Sequence, residues 1–116
     1  MTQTFEDLDV WKLSRELTKS LWQIFYKPSF KNYSFQDQIM RAAISVSNNI
    51  AEWRERWTNK WFIQFLSFSK WSVGEVRSML YTALDLGYIT DAQFKTFYAA
   101  CKELSIKLYR FTQSLH

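Results

Sequence analysis

The chain has little of the residue types that interrupt or cross-link a fold. Its 116 residues include 2 glycines, 1 proline and 1 cysteine, whereas 47% are hydrophobic and 19% are aromatic. So few glycines and prolines disfavour a turn-rich β protein and favour long helices. The lone Cys101 excludes an internal disulfide and fits a reducing compartment. We therefore expect a cytoplasmic protein that folds on its apolar core alone.

The sequence also lacks membrane spans and clustered metal ligands. No apolar run is long enough to cross a bilayer, and residues 1–7 do not resemble a signal peptide. One cysteine and the terminal His116 do not complete a closed zinc site. Gly74 and Gly87 stand alone, so no glycine-rich phosphate loop is present. These absences predict no metal, no cofactor, no membrane partner and no enzymatic activity.

What the chain does have is helical periodicity in four stretches. In each stretch, apolar residues recur at spacings of three and four, which place them on one face of a helix. Trp11, Trp22 and Phe25 flank the first stripe and widen its apolar face. The predicted core stripes are Val10, Leu13, Leu17, Leu21 and Ile24; Phe35, Ile39, Ala43, Val46 and Ile50; Phe62, Leu66, Ser69, Val73, Val76, Leu80 and Ala83; and Phe94, Phe97, Cys101, Leu104, Leu108, Phe111 and Leu115.

Capping and stopping residues separate the four stripes. Side chains that accept from the first helical amides favour a helix start, whereas proline and glycine favour an end. The predicted N-caps are Thr4 with Asp7, Ser34 with Asp37, Thr58, and Thr90 with Gln93, and the predicted stops are Pro28 and Gly87. Heptads and short connections then predict one domain over residues 1–116. Its expected fold is all-α, an up-down-up-down antiparallel four-helix bundle.

Several segments of the chain resemble a known family. They are Phe5-Glu-Asp-Leu-Asp-Val-Trp-Lys, Arg41-Ala-Ala-Ile-Ser-Val-Ser-Asn-Asn-Ile-Ala-Glu, and Val73-Gly-Glu-Val-Arg followed by Leu84-Asp-Leu-Gly-Tyr-Ile. They are similar to the 23S rRNA intervening-sequence family, also described as four helix bundle proteins. The resemblance implies a homo-oligomer, specifically a pentamer, and carries over no catalytic residue. One branch is the accessory variability protein of diversity-generating retroelements, which partners a reverse transcriptase and nucleic acid through basic surfaces.

Three tryptophans depart from this family pattern. Trp53 stands where glycine is usual, Trp61 where glutamate is usual, and Trp71 where a small residue is usual; Trp57 lies at a variable position. Large apolar rings in one neighbourhood suggest an engineered chain, a hypothesis that a natural relative with all four would contradict. Trp53 in place of a helix-ending glycine also predicts either that the second helix runs beyond its family end or that its C-terminal cap is remade.

Such large rings are favourable only where they become buried, because each covers on the order of 150–250 Å². We interpret Trp53, Trp57, Trp61 and Trp71 as a contact surface between subunits, with polar neighbours as its rim. The alternatives are that the rings fill gaps between the second and third helices, or that they enclose an apolar ligand. The main functional prediction is a non-enzymatic, homo-oligomeric assembly module.

A basic surface supplies the alternative function. The formal net charge is +4, which permits a nucleic-acid partner without requiring one. The last helix carries Lys95, Lys102, Lys107 and Arg110, the first carries Lys12, Arg15 and Lys19, and Tyr98 and Tyr109 are candidates for base stacking. The alternative prediction is a nucleic-acid-binding accessory protein of a reverse transcriptase. An ordinary solvated face explains the same charges.

Overall fold

Four long helices lie side by side and each packs against two neighbours. The computed structural model describes the backbone of residues 4–56 and 59–114 and the side-chain surroundings of residues 4–55 and 64–114. The helices are α1 (Asp9–Phe25), α2 (Tyr33–Arg56), α3 (Asn59–Asp85) and α4 (Asp91–Ser114). Each helix contacts the next along the chain, and α1 also contacts α4. With extents of 46 × 22 × 21 Å, this arrangement confirms the four-helix bundle.

The predicted core stripes are confirmed in α2 and α3 over the described residues and in α4 from Phe97 to Leu108, whereas Phe94 and Phe111 of the α4 stripe are only half-buried. All five stripe positions of α2 are buried, as are those of α3 from Leu66 to Ala83 and those of α4 from Phe97 to Leu108. The side chains of Phe62 and Leu115 lie outside the described residues. A regular spacing of three and four therefore placed most of the core correctly.

In α1 the predicted stripe is shifted and needs correction. Phe25, predicted as a flanking residue, is fully buried, whereas Leu13 and Ile24 are only half-buried. Ser14 takes the central position instead, because its hydroxyl donates to the Trp11 carbonyl at 2.7 Å and so enters the core without an unpaired group.

Two predicted helix starts are also corrected. The Thr4 amide donates to the Asp7 carboxylate at 3.2 Å, but this pair caps a single 3₁₀ turn, Phe5–Asp7. Leu8 is then extended (ψ 128°), so α1 begins only at Asp9. At the second start, the Asn32 carboxamide oxygen, not Ser34, accepts from the Phe35 amide at 3.1 Å.

The turn between α3 and α4 matches its prediction. Gly87 has a φ of 75°, which a side chain would strain. The Tyr88 amide donates to the Ala83 carbonyl at 2.8 Å, closing the last turn of α3. The capping box of α4 is present, with Thr90 and Gln93 bonded in both directions at 2.9 and 3.1 Å. The predicted cap Thr58 lies outside the described residues.

Small side chains let α2 and α3 approach closely. The Ser69 hydroxyl is fully buried and donates to the Val46 carbonyl at 2.9 Å. Nearer the surface, the Ser72 hydroxyl donates to the Ser45 hydroxyl at 3.0 Å. These two bonds fix the register of an antiparallel pair. None of the helices in the described part of the chain combines the length and apolar character needed to cross a membrane.

Candidate contact surface

Trp53 belongs to the bundle interior and not to a contact surface. Its side chain is 7% exposed, and its indole meets the Phe111 ring edge-on, with centroids 5.1 Å apart and planes at 86°. The assignment of Trp53 to a subunit interface is therefore corrected. Of the two alternatives predicted for this position, the structure has the longer helix, because α2 continues past Trp53 to Arg56.

Trp71 has the opposite environment. Its side chain is 69% exposed and lies beside Phe68, with ring centroids 5.4 Å apart. Both rings border a groove of about 380 Å³ between α2 and α3. Ser45, Ser72 and Asn49 form its polar floor, and Glu75 lies one helical turn beyond Trp71. Trp71 is thus an apolar ring that remains in solvent.

The predicted tryptophan cluster is divided by the geometry of α2 and α3. Val46 and Ser69 lie at one level of the bundle. From that level, Trp53 and Trp71 lie in opposite directions along the antiparallel pair. At about 1.5 Å per residue, their levels differ by about 13 Å. The two rings therefore do not enclose one apolar ligand together. The side chains of Trp57 and Trp61 lie outside the described residues.

A second groove, which we did not predict, lies between α1 and α2. Its volume is about 600 Å³. Trp22, predicted as a core-edge ring, is 52% exposed and stacks on Tyr26, with centroids 3.9 Å apart and planes at 13°. Met40 and the exposed Ile44 complete an apolar floor from the α2 side. Together with Trp71, these residues put exposed apolar groups on both sides of α2.

Charged groups border the α1/α2 groove. Arg15, Lys19 and Glu16 all line it, so its rim carries two cations and one carboxylate. The Arg15 guanidinium also lies over the Trp11 ring, 5.8 Å from its centroid. Burial raises the pKa of the Tyr26 hydroxyl, and the nearby Asp37 carboxylate raises it further. The phenol is therefore neutral at physiological pH.

The basic residues of α4 form a looser surface. Lys95, Lys102 and Arg110 are exposed, whereas the Lys107 ammonium lies 3.6 Å from the Glu103 carboxylate. Of the two predicted stacking residues, Tyr109 is exposed, and the Lys70 ammonium lies 5.4 Å from its ring centroid.

The other predicted stacking residue, Tyr98, is already engaged with neighbouring rings. It stacks on Phe94 at 5.6 Å between centroids and meets Tyr81 at 6.0 Å. Of the two predicted stacking residues, only Tyr109 therefore has its ring exposed on the surface of α4.

The chemistry available elsewhere in the molecule is limited. Cys101 is fully buried, and burial raises the pKa of its thiol to about 11, although the Arg77 guanidinium acts in the opposite direction. At neutral pH this thiol is protonated and shielded from reagents. Among the described side chains, those of residues 4–55 and 64–114, no group of three His, Cys, Asp or Glu is placed to hold a metal ion.

Comparisons with known proteins agree with this architecture. The family model of the 23S rRNA-intervening sequence protein matches residues 6–110. A crystal structure of a protein of unknown function from the S23 ribosomal protein family of Bacteroides thetaiotaomicron is similar, with a TM-score of 0.81. The likeness covers 90% of this chain and 95% of that one at 19% identity, so it shows the fold alone. A search among curated proteins found no match.

Proposed function

The chain belongs to the 23S rRNA-intervening sequence protein family, and we propose that it is a non-enzymatic assembly module that binds copies of itself. The observation that carries this proposal is the exposure of large apolar side chains on both sides of α2. Trp22 and Ile44 face solvent at the α1/α2 groove, and Trp71 does so at the α2/α3 groove. Large apolar side chains that are exposed together at a groove support an interaction site.

The side-chain types at these grooves support an interface. Tryptophan and arginine contribute disproportionately to binding energy, and polar residues typically surround an apolar centre. Trp71 and Trp22 supply the rings, whereas Arg15, Lys19 and Glu75 supply charge at the groove edges. Covering one tryptophan removes about 150–250 Å² from water, which contributes roughly 4–6 kcal/mol before association costs are subtracted.

The measurement that tests assembly is the solution mass by light scattering. A pentamer, which the family resemblance implies, would have a mass of about 70 kDa, five times that of the 14.0 kDa chain. We expect Trp71→Ala to lower the mass at a given concentration. A matched control is Tyr33→Ala, which removes another exposed aromatic ring, near the start of α2, away from both grooves. A wild-type chain that remains at 14.0 kDa at all concentrations would reject the proposal.

A nucleic-acid-binding role is the second candidate, and one specific observation favours it. Lys12, Arg15, Lys19 and Trp22 are spaced by three, four and three residues, so they share one stripe of α1. The three cations and the indole are all exposed. A row of cations ending in an exposed aromatic ring suits a single strand, because phosphates pair with cations and bases stack on the ring.

Salt dependence distinguishes this candidate from non-specific adhesion. We expect a labelled single-stranded RNA to bind with an affinity that falls steeply between low and moderate salt, because phosphate contacts release counterions. Lys19→Gln would then reduce the salt slope if α1 is the binding face, whereas Lys102→Gln would do so if α4 is. Fluorescence polarisation measures both. Binding that does not change with salt would exclude phosphate contacts, and identical slopes in all variants would exclude both faces.

A further inference from the structure

We infer that the Trp71 side of one copy docks into the α1/α2 groove of a second copy, so that the contact joins two different surfaces of the same chain. This inference rests on the proposed self-assembly and identifies the surfaces that meet. One surface presents Trp71, Phe68 and Glu75 at the α2/α3 groove. The other presents an apolar floor with two cations at its edge.

The two surfaces are complementary in polarity. Trp71 is the large apolar side chain with the greatest exposure among the described residues. The α1/α2 groove has an open volume of about 600 Å³ and a floor of Trp22, Tyr26, Met40 and Ile44. This volume lies within the range of sites that enclose compact apolar groups. An indole resting on this floor would meet aromatic and aliphatic side chains and leave its own helix at the groove edge.

The charges match with nearly the same spacing. Glu75 lies four residues beyond Trp71, which is about 6 Å along α3. Lys19 lies three residues before Trp22, which is about 4.5 Å along α1, and Arg15 is one further turn away. With Trp71 against Trp22, and with α3 of one copy antiparallel to α1 of the other, the Glu75 carboxylate comes level with the cations. Glu16 lines the same rim but leaves the local charge positive.

A second copy is the occupant that these observations favour. The chain carries both halves of the contact, and α2 contributes to both grooves, through Met40 and Ile44 on one side and Ser45 and Asn49 on the other. When two copies make one such contact, the α1/α2 groove of one copy and the Trp71 surface of the other remain uncovered. Further copies therefore add until the assembly closes into a ring or grows as a filament.

Complementation between two variants tests this arrangement. Trp71→Ala removes only the inserted ring, and Ile44→Glu places a charge only in the groove floor. Both positions are exposed, so we expect folded chains, checked by circular dichroism and urea unfolding. Each variant alone should be monomeric. An equal mixture should form a complex of two chains, because one intact insertion and one intact groove remain.

Light scattering distinguishes the outcomes. A folded single variant that keeps the wild-type mass, a mixture that stays monomeric, or a wild-type chain that stops at a dimer would each overturn the inference while leaving self-assembly intact. A monomeric wild-type chain would overturn both the inference and the proposed function.

Charge reversal provides an independent test. Glu75→Lys and Lys19→Glu should each raise the concentration at which half of the chains assemble, by up to about fivefold at low salt. The double variant should restore assembly towards the wild-type value if the two charges face each other across the contact. If the double variant instead needs at least as high a concentration for half-assembly as the single variant that assembles less readily, these two residues do not meet.

Discussion

Trp53 and Trp71 carry the same side chain on neighbouring helices, yet their surroundings are opposite. Trp53 is 7% exposed and packs on Phe111, whereas Trp71 is 69% exposed and lies at the edge of an open groove. The first ring packs inside the bundle, and the second stays exposed to solvent, where we propose that it contacts a second copy. The helix face on which a tryptophan lies, and not its residue type or its unusual position, therefore decides whether its ring is buried.

Helical rotation explains the difference. At about 100° per residue, Trp53 lies only about 20° from Val46 and three residues beyond Ile50, so it continues the buried stripe of α2. Trp71 lies about 200° from Ser69, so it points away from the buried stripe of α3. The same arithmetic places Glu75 near Trp71 and away from the core.

The largest expected effect is the loss of stability in Trp53→Ala. Removing a buried indole deletes its apolar contacts and leaves a cavity against Phe111. We expect the free energy of unfolding to fall by about 3–5 kcal/mol, measured by urea denaturation of dilute protein. A loss below about 1 kcal/mol would place Trp53 outside the core and remove the contrast with Trp71.

The second-largest expected effect is the pH dependence of stability that arises from burial of the Cys101 thiol. Its thiol pKa is raised from 9.0 to about 11 by burial, so the folded chain holds this proton more tightly than the unfolded chain. The resulting stability is complete below pH 9.0 and is lost as the pH rises towards about 11. Its size is about 3 kcal/mol.

The measurement is the difference in unfolding free energy between the wild-type chain and Cys101→Ala at several pH values. The titrations of tyrosines largely cancel in this difference. We expect the wild-type advantage to shrink from pH 8 to pH 11. A constant difference would show that the thiol ionises as easily in the folded chain as in the unfolded one.

A smaller effect compares buried and groove positions with a second residue type. Ser69→Ala removes a buried hydroxyl that donates to Val46, and we expect a loss of about 1 kcal/mol. Ser72→Ala removes a bond to Ser45 at the groove floor, where water replaces the partner, so we expect a loss of less than about 0.5 kcal/mol. Urea unfolding of both variants tests the order. Equal losses would mean that the floor of the α2/α3 groove excludes water as fully as the buried contact between Ser69 and Val46 does.

The smallest expected effect on stability is that of Trp71→Ala. Because the ring is exposed, the free energy of unfolding of dilute protein should change by no more than about 0.5 kcal/mol. The same variant should lose assembly at high concentration. A large loss of stability in dilute protein would show that Trp71 supports its own bundle, and the contact proposed for it would then lack its main observation.

Much of the fold was predictable from spacing because burial in a bundle follows helical periodicity. The stripes of α2, α3 and α4 needed only the positions of apolar residues, and the Thr90–Gln93 box needed only local capping chemistry. The first helix was less predictable. Ser14 entered its core through a bond to its own backbone, and Asn32 reached the first turn of α2 in place of Ser34.

The candidate surfaces were only partly predictable. The burial of Trp53 could have been predicted from its spacing to Ile50 and Val46, but we grouped it with the other unusually placed tryptophans as an interface. The α1/α2 groove could not be predicted from the sequence, because each of the two helices contributes only part of its lining. Trp22 and Lys19 meet Met40 and Ile44 only once the two helices have packed.

The four-helix bundle follows from the sequence alone, since apolar periodicity, capping residues and a scarcity of glycine and proline act within each helix. Which side chains stay exposed depends instead on how the helices pack against one another. Two packed helices bury what faces their seam and leave exposed what lies on their outer flanks. For that reason Trp53 became part of the core, whereas Trp22 and Trp71 remained on either side of α2.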